Sequence, residues 1–126
     1  MAHDKLIRFF LRLRSNLQAY HWCTKSYSRH RSCDVLIVTL DTLIDRYLET
    51  YFGKYGRPVI NDEKRSIIKI IKMTDLEAVL YLRQVSKYLN AHKSIFCPSK
   101  DDTELQAIMD EIAENITRTL YLFNAN

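Results

Sequence analysis

Side chains of metal-ligand type recur at helical spacing between residues 30 and 49. They are His30, Asp34, Asp45 and Glu49, separated by four, eleven and four residues. At about 100° per residue, the first three share a helical stripe about 60° wide, and Glu49 lies slightly further round. An imidazole together with several carboxylates suits iron or manganese. The pattern indicates a metal site on one helix face, and the alternative is a solvated acidic face with an incidental histidine.

A second histidine, His21, lies just before the turn that leads into this helix. It falls at the edge of an apolar helical stripe, so we expect its ring to point inward. The spacings His21-x-Cys23 and His30-x-x-Cys33 also permit a zinc site, because thiolate and imidazole are zinc ligands. However, Cys33 falls on the apolar side of its helix, where cysteine commonly packs as a small core residue.

Composition predicts a single all-helical domain spanning residues 1–126. Hydrophobic residues make up 47% of the chain, and the two glycines and two prolines lie outside the long periodic runs. A chain of this length is expected to form one domain. Helix-breaking residues are therefore scarce and lie between the periodic runs, which favours an all-α fold.

Charge and cysteine usage restrict the environment that we expect. Three cysteines, without a recognisable secretory signal, predict reduced thiols and a cytoplasmic location, which for a viral protein means the host cytoplasm or the virion. No run of 18 apolar residues is present, so no membrane span is predicted. The net charge of +4 permits an anionic partner without demonstrating one.

Periodicity, caps and breakers predict four long helices and one short one. The predicted ranges are Asp4–Trp22, Tyr27–Phe52, the short helix Asp62–Lys72, Asp75–Ala91 and a last helix that ends near Phe123. The short helix would connect two antiparallel hairpins of a four-helix bundle. Capping boxes are expected at Thr74 with Glu77 and at Ser99 with Asp102.

Each helix has an apolar face that we expect to point into the core. The short helix would bury Ile67, Ile70 and Ile71. The third long helix would bury its own set: Leu76, Val79, Leu80 and Tyr88.

A basic row on the first helix is a candidate nucleic-acid contact. Lys5, Arg8 and Arg12 recur at spacings of three and four, so they share one helical face. Rows of this kind are also typical of an ordinary solvated surface. Weak binding to the phosphates of DNA is the functional interpretation of the same row.

The stretch from Tyr20 to Pro58 resembles the Dps-like mini-ferritins. The shared order is His-Trp, a second His, an Asp four residues later, Asp-x-x-x-Glu and a glycine-containing turn that ends in Pro. The resemblance implies a ferritin-like four-helix bundle with a short helix between the second and third long helices. It also implies metal ligands at His21, His30, Asp34, Asp45 and Glu49. Trp22 and Tyr27 would lie beside the metal.

The activity implied by this resemblance is ferroxidase chemistry. One subunit would supply His21, His30 and Asp34, and a neighbour would supply Asp45 and Glu49. Two Fe(II) ions would be oxidised there, for iron storage or oxidative protection, with zinc or manganese as other metals. The implied partner is a homo-oligomer, at least a dimer and in that family a shell of twelve subunits.

A second resemblance favours a different class of function. The wording AYHW-x-TKSY-x-RH, with the later GKYGRP, is similar to uncharacterised short proteins of large DNA viruses. The segment from His21 to His30 is also about three residues shorter than in the mini-ferritins. The alternative hypothesis is therefore a non-catalytic helical structural or interaction protein, associated with a virion or with DNA, whose metal site has decayed.

Overall fold

The computed structural model describes residues 3–60 and 67–125, and this part of the chain is predominantly helical. The helices are α1 (His3–Cys23), α2 (Tyr27–Tyr55), α3 (Asp75–Ala91), α4 (Lys93–Phe96) and α5 (Thr103–Phe123). No strand occurs within the two described ranges. The predicted all-α class is therefore confirmed.

Local capping explains where α2 begins and ends. The Ser26 hydroxyl accepts a hydrogen bond from the Arg29 backbone N–H at 3.2 Å, which satisfies one free donor of the first turn. Gly56, with φ of 107°, follows the last turn and donates its N–H to the Phe52 carbonyl at 2.9 Å. A residue with a Cβ is strained at this φ, so glycine suits the end of α2.

The two predicted capping boxes have different outcomes. At α3, Glu77 N–H donates to the Thr74 hydroxyl at 3.1 Å and Thr74 N–H donates to the Glu77 carboxylate at 3.0 Å, as predicted. At α5, the box between Ser99 and Asp102 forms only in part. The Asp102 carboxylate accepts from Ser99 N–H at 2.9 Å, as the box requires, but the Ser99 hydroxyl accepts from Asp101 N–H at 3.2 Å, and α5 begins only at Thr103.

The four long helices share one apolar core. Helix α2 packs against both α1 and α5, and α3 packs against α5. Among the fully buried side chains are Phe10 from α1, Tyr47 from α2 and Ile112 from α5. Burying an aliphatic or aromatic side chain of this size contributes about 1.5–3 kcal/mol. The Tyr47 hydroxyl donates to the Phe96 carbonyl at 2.7 Å, so its polar atom is satisfied inside the core.

The predicted core face of α3 is partly wrong. Val79 is buried and Tyr88 is half-buried, as expected, but Leu76 is 69% exposed and Leu80 is also exposed. The buried stripe of α3 continues through Leu82, Val85 and Leu89 instead. Apolar residues occur on more than one side of α3, and periodicity alone does not identify the side that faces α5.

The predicted short helix between α2 and α3 is wrong where the structure describes it. Residues 61–66 lie outside the described residues, and residues 67–74, here called the strap, have no regular secondary structure. Ile67, predicted to be inward, is 73% exposed, and Ile70 and Ile71 are exposed too. In the described part of the chain, a short helix, α4, lies between α3 and α5.

The side chain of Asn16 holds the strap against α1. This residue is fully buried, and its amide nitrogen donates to the carbonyls of Arg12, at 2.9 Å, and Lys69, at 3.2 Å. Its amide oxygen accepts the Ile71 N–H at 2.7 Å. Asn16 thus satisfies backbone groups of the strap that a helix would have satisfied internally.

Candidate functional site

The structure brings His21 and His30 together at the corner between α1 and α2. Their rings stack with centroids 3.9 Å apart and planes inclined by 16°. Nδ1 of His21 donates to the His30 carbonyl, and Nδ1 of His30 donates to the His21 carbonyl, each at 2.8 Å. Because a carbonyl only accepts, both Nδ1 atoms carry a proton in these bonds.

This reciprocal pairing has both a structural and a chemical consequence. The His21 carbonyl belongs to the last turn of α1, where carbonyls lack intrahelical partners, so His30 caps that helix. With Nδ1 used in this way, Nε2 is the position of each neutral ring that can accept a proton or bind a metal. The pair therefore closes the α1–α2 corner and leaves one imidazole nitrogen per ring for a ligand.

The predicted carboxylates do not join the histidines within one chain. Asp34, Asp45 and Glu49 are all exposed on α2. Across residues 3–60 and 67–125, no group of three or more His, Cys, Asp or Glu side chains lies close enough to hold a metal ion. The ligand set of five, which requires a neighbouring subunit, stays a prediction, as do iron, manganese and zinc as its metals.

The two cysteines of the zinc alternative have unlike surroundings. Cys33 is buried in the core and its thiol donates to the Leu17 carbonyl at 3.5 Å. Burial, with a smaller effect of the Asp34 charge, raises the pKa of Cys33 to about 12, so this thiol stays protonated. Cys23 is exposed at the end of α1.

The aromatic residues predicted to lie beside the metal are on the surface. Trp22 and Tyr27 are both about three-quarters exposed, at 74% and 73%. The Tyr27 ring is roughly parallel to that of His30, with centroids 6.5 Å apart. Tyr27 thus extends the histidine stack toward solvent.

A second site, which the sequence predicted only in part, lies between α1 and α3. The predicted basic residues Lys5, Arg8 and Arg12 line one cavity of about 280 Å³. Its apolar lining comes from α1, α3 and α4, and the residues are Leu6, Phe9, Tyr88, Ile95 and Phe96. We call this cavity the basic groove.

The cations of the basic groove differ in availability. Lys5 and Arg12 are exposed, whereas Arg8 is partly buried and pairs with Asp4, with Nη2 3.8 Å from the carboxylate. Such an ion pair neutralises part of the Arg8 charge locally. Lys5 and Arg12 are therefore the side chains best placed to meet an anion.

The strap extends this row of positive charge. Because Asn16 donates to the carbonyls of both Arg12 and Lys69, those two backbone segments lie side by side. Lys69 is exposed on the strap. A lysine from a segment more than 50 residues away in the sequence thus lies beside the backbone of Arg12.

Sequence reasoning missed Tyr88 and Phe96 as lining of the basic groove, and it missed that Lys69 lies beside Arg12. Lys69 falls within the helix that periodicity predicts, and the contact of α4 with α1 leaves no periodic signal. One signal was present: Asn16 lies among the apolar residues of the inward stripe of α1, between Leu13 and Leu17. A buried asparagine needs partners, so its position could have indicated a crossing segment.

Comparison with known proteins identifies the family. A model of the family of unknown function DUF5856 matches residues 21–123. The chain belongs to this family. An "Uncharacterized 14.6 kDa protein in mobD-ri intergenic region" of Enterobacteria phage T4 is 27% identical over 124 residues, which cover 96% of this chain and 87% of that protein. No solved structure matches the chain significantly.

These findings correct the expected identification. The assignment to the Dps-like mini-ferritins is wrong, because the family that matches is DUF5856 and not a ferritin family. The ferroxidase activity and the shell of twelve subunits were expected only from that resemblance, so they no longer have its support. The similarity to a T4 phage protein is consistent with the viral resemblance.

The match to the DUF5856 family has a boundary that bears on the two sites. It begins at His21 and so includes the histidine pair, whereas the basic residues of α1 precede it.

Within the described ranges, no helix is long and apolar enough to cross a membrane.

Proposed function

We propose that this protein is a non-catalytic binding module that holds the phosphate backbone of a nucleic acid in the basic groove. One observation carries the proposal: Lys5, Arg8 and Arg12, from one face of α1, line a single cavity. Contacts of this kind bind phosphates independently of base sequence.

The arrangement of charge supports an extended anion over a small one. Lys5 and Arg12 are seven residues apart, which is about 10 Å along a helix. Lys69 continues the row where the strap crosses α1 beside Asn16. A polymer with regularly spaced phosphates can meet these separated cations at once, whereas a single phosphate cannot.

Salt dependence of binding tests the proposal. With about three phosphate contacts, the affinity for a fluorescein-labelled duplex should fall with log[salt] at a slope of about −3. Arg12→Gln should weaken binding at each salt concentration and reduce the slope by about one. Fluorescence anisotropy between low and physiological salt measures both quantities.

A matched control variant distinguishes binding in the basic groove from a general effect of the net charge. Arg118 is exposed on α5 and pairs with Glu114 of its own helix. Arg118→Gln removes the same charge from a residue that does not line the groove, and it should leave the slope unchanged. Equal losses for Arg12→Gln and Arg118→Gln, or no binding by the unmodified protein at low salt, would overturn the proposal.

A further inference from the structure

The outward face of α2 carries a regular stripe that no other helix of the described chain covers. Its positions alternate in spacing between four and three residues, the repeat by which a helix presents one seam to a partner. The stripe consists of Arg31, Val35, Val38, Thr42, Asp45 and Glu49. All six are exposed, with Val35 at 62% and Val38 at 63%. We call these six residues the α2 seam.

The order of charged and apolar side chains along the α2 seam is its most informative property. A cation, Arg31, stands at the N-terminal end, two β-branched apolar residues lie near the middle, and the carboxylates Asp45 and Glu49 stand at the C-terminal end. Within residues 3–60 and 67–125, none of these three charged side chains forms an ion pair. Their neighbours on α2 do: Asp41 binds Arg14 at 3.1 Å, and Arg46 lies 3.8 Å from Glu111.

We propose that two copies of this chain form a twofold dimer by packing their α2 seams antiparallel. In a twofold pair each patch meets itself, so a surface must be complementary to its own reversed copy. The seam meets this condition, because reversal places its basic end against its acidic end. Parallel packing would place Arg31 against Arg31 and is disfavoured by like charge.

One register satisfies the whole seam. When facing positions have numbers that sum to 80, Val38 faces Thr42 of the second copy and Arg31 faces Glu49 of the second copy. Val35 then faces Asp45 of the second copy. This carboxylate lies about one helical turn from Arg31 of the first copy, within reach of the long arginine side chain. The six layers extend over about 27 Å of helix.

The balance of forces predicts a reversible dimer. Two valines per copy provide a small apolar centre, and salt bridges at the rim contribute little net affinity. Their main effect is to fix orientation, since a misaligned pair would oppose like charges. The dimer is therefore expected to dissociate on dilution.

Charge exchange at Arg31 and Glu49 tests both the dimer and its direction. Sedimentation equilibrium of the full chain, from low micromolar to submillimolar concentration, should show a monomer–dimer equilibrium. Arg31→Glu and Glu49→Arg should each weaken dimerisation about tenfold or more, because each creates two like-charge contacts per dimer. The double variant should return to within about threefold of the unmodified protein.

Further variants keep the outcome interpretable. Val38→Glu should abolish the dimer by placing charge in the apolar centre, while its circular dichroism and thermal midpoint stay near those of the unmodified protein. Arg83→Glu, which alters an exposed arginine on α3, should leave the equilibrium unchanged. A monomer at every concentration, or a double variant as weak as the single ones, would overturn the antiparallel α2 dimer.

Discussion

At the scale of single residues, one buried carboxylate fastens the end of α2 to the start of α5. Asp102 is 2% exposed and receives the Lys54 ammonium at 2.5 Å, the Tyr55 hydroxyl at 2.5 Å and the Ser99 N–H at 2.9 Å. Lys54 also contacts Glu104 in the first turn of α5. A carboxylate in this position satisfies two side chains and one backbone donor that belong to different segments.

These contacts shift the pKa values of the groups involved. The hydrogen bond from Lys54, followed by that from Tyr55, lowers the pKa of Asp102 to about 2. The bond to Asp102 in turn raises the pKa of Tyr55 to about 12. Because the folded pKa of Asp102 lies below its ordinary value near 4, its stabilising effect is complete above about pH 4 and is lost as pH falls toward 2.

Asp102→Asn should therefore destabilise the protein in a pH-dependent manner. The oxygen of the substituted amide can still accept from one donor, but its nitrogen would face a second donor, so the free energy of unfolding should be lower than in the unmodified protein at pH 7. The difference should narrow between pH 4 and pH 2. Urea unfolding at several pH values measures it, with Asp101→Asn, the exposed neighbour, as the control. A difference that is constant down to pH 2 would contradict the assignment.

For the histidine pair, the sequence predicted which residues are involved but not how they are arranged. The sequence indicated a joint metal-binding role for His21 and His30 only through their spacing from cysteines and through the resemblance to the mini-ferritins. Their stacking and the exchange of Nδ1 bonds with each other's carbonyls depend on how α1 and α2 cross. No spacing rule contains that crossing, so the tautomers could not be predicted.

At the scale of elements, local signals predicted the helix limits well. The predicted range of α3, Asp75–Ala91, agrees with the structure, and the start of α2 at Tyr27 and the end of α5 at Phe123 agree too. These limits depend on caps and breakers adjacent in sequence. The isoleucines of the strap have helical spacing and so predict a helix, while the hydrogen bonds that hold the strap come from Asn16 on α1.

Asn16→Ala should release the strap from α1. The change leaves Lys69 C=O and Ile71 N–H without their partner, which costs about 1–3 kcal/mol of unfolding free energy. Hydrogen exchange at Ile71 should accelerate, and trypsin should cleave after Lys69 sooner than in the unmodified protein. Both can be followed by mass spectrometry.

The control for this release is another asparagine that bonds only within its helix. Asn115 donates to the Glu111 carbonyl of α5 at 2.8 Å and contacts no other element through that bond. Asn115→Ala should leave cleavage after Lys69 unchanged. If Asn16→Ala also left the protection of Ile71 intact, the strap would be held by other contacts.

At the scale of the whole molecule, the sequence indicated how many long helices there are but not how they are arranged. Apolar residues such as Leu76 and Leu80 suggested one face of α3, whereas the structure buries another. The basic groove is likewise a product of arrangement, since Phe96 reaches it from α4. Such features depend on contacts between distant segments, which periodicity does not specify.

Arg29 links four segments at one end of the fold. From the first turn of α2, its guanidinium donates to the Tyr20 hydroxyl of α1 at 3.1 Å and to the Asp75 carbonyl of α3 at 2.6 Å. It also donates to the Phe123 carbonyl at 3.2 Å, and its Cζ lies 4.8 Å from the centre of the Phe123 ring. The last turn of α5 is thus joined to the ends of the other three long helices.

Arg29→Met should consequently lower the global stability more than the loss of an ordinary surface arginine. Charged hydrogen bonds and a cation–π contact disappear together, and the expected loss of unfolding free energy is roughly 2–4 kcal/mol. The free energy of unfolding of Arg29→Lys should lie between those of the unmodified protein and Arg29→Met. A lysine keeps the charge but cannot present a planar fork to several acceptors. Urea unfolding followed by circular dichroism measures all three proteins, and Arg83→Met, an exposed arginine of α3, should stay within about 0.5 kcal/mol. Equal stabilities for Arg29→Met and Arg83→Met would mean that the packing of the four long helices does not depend on this arginine.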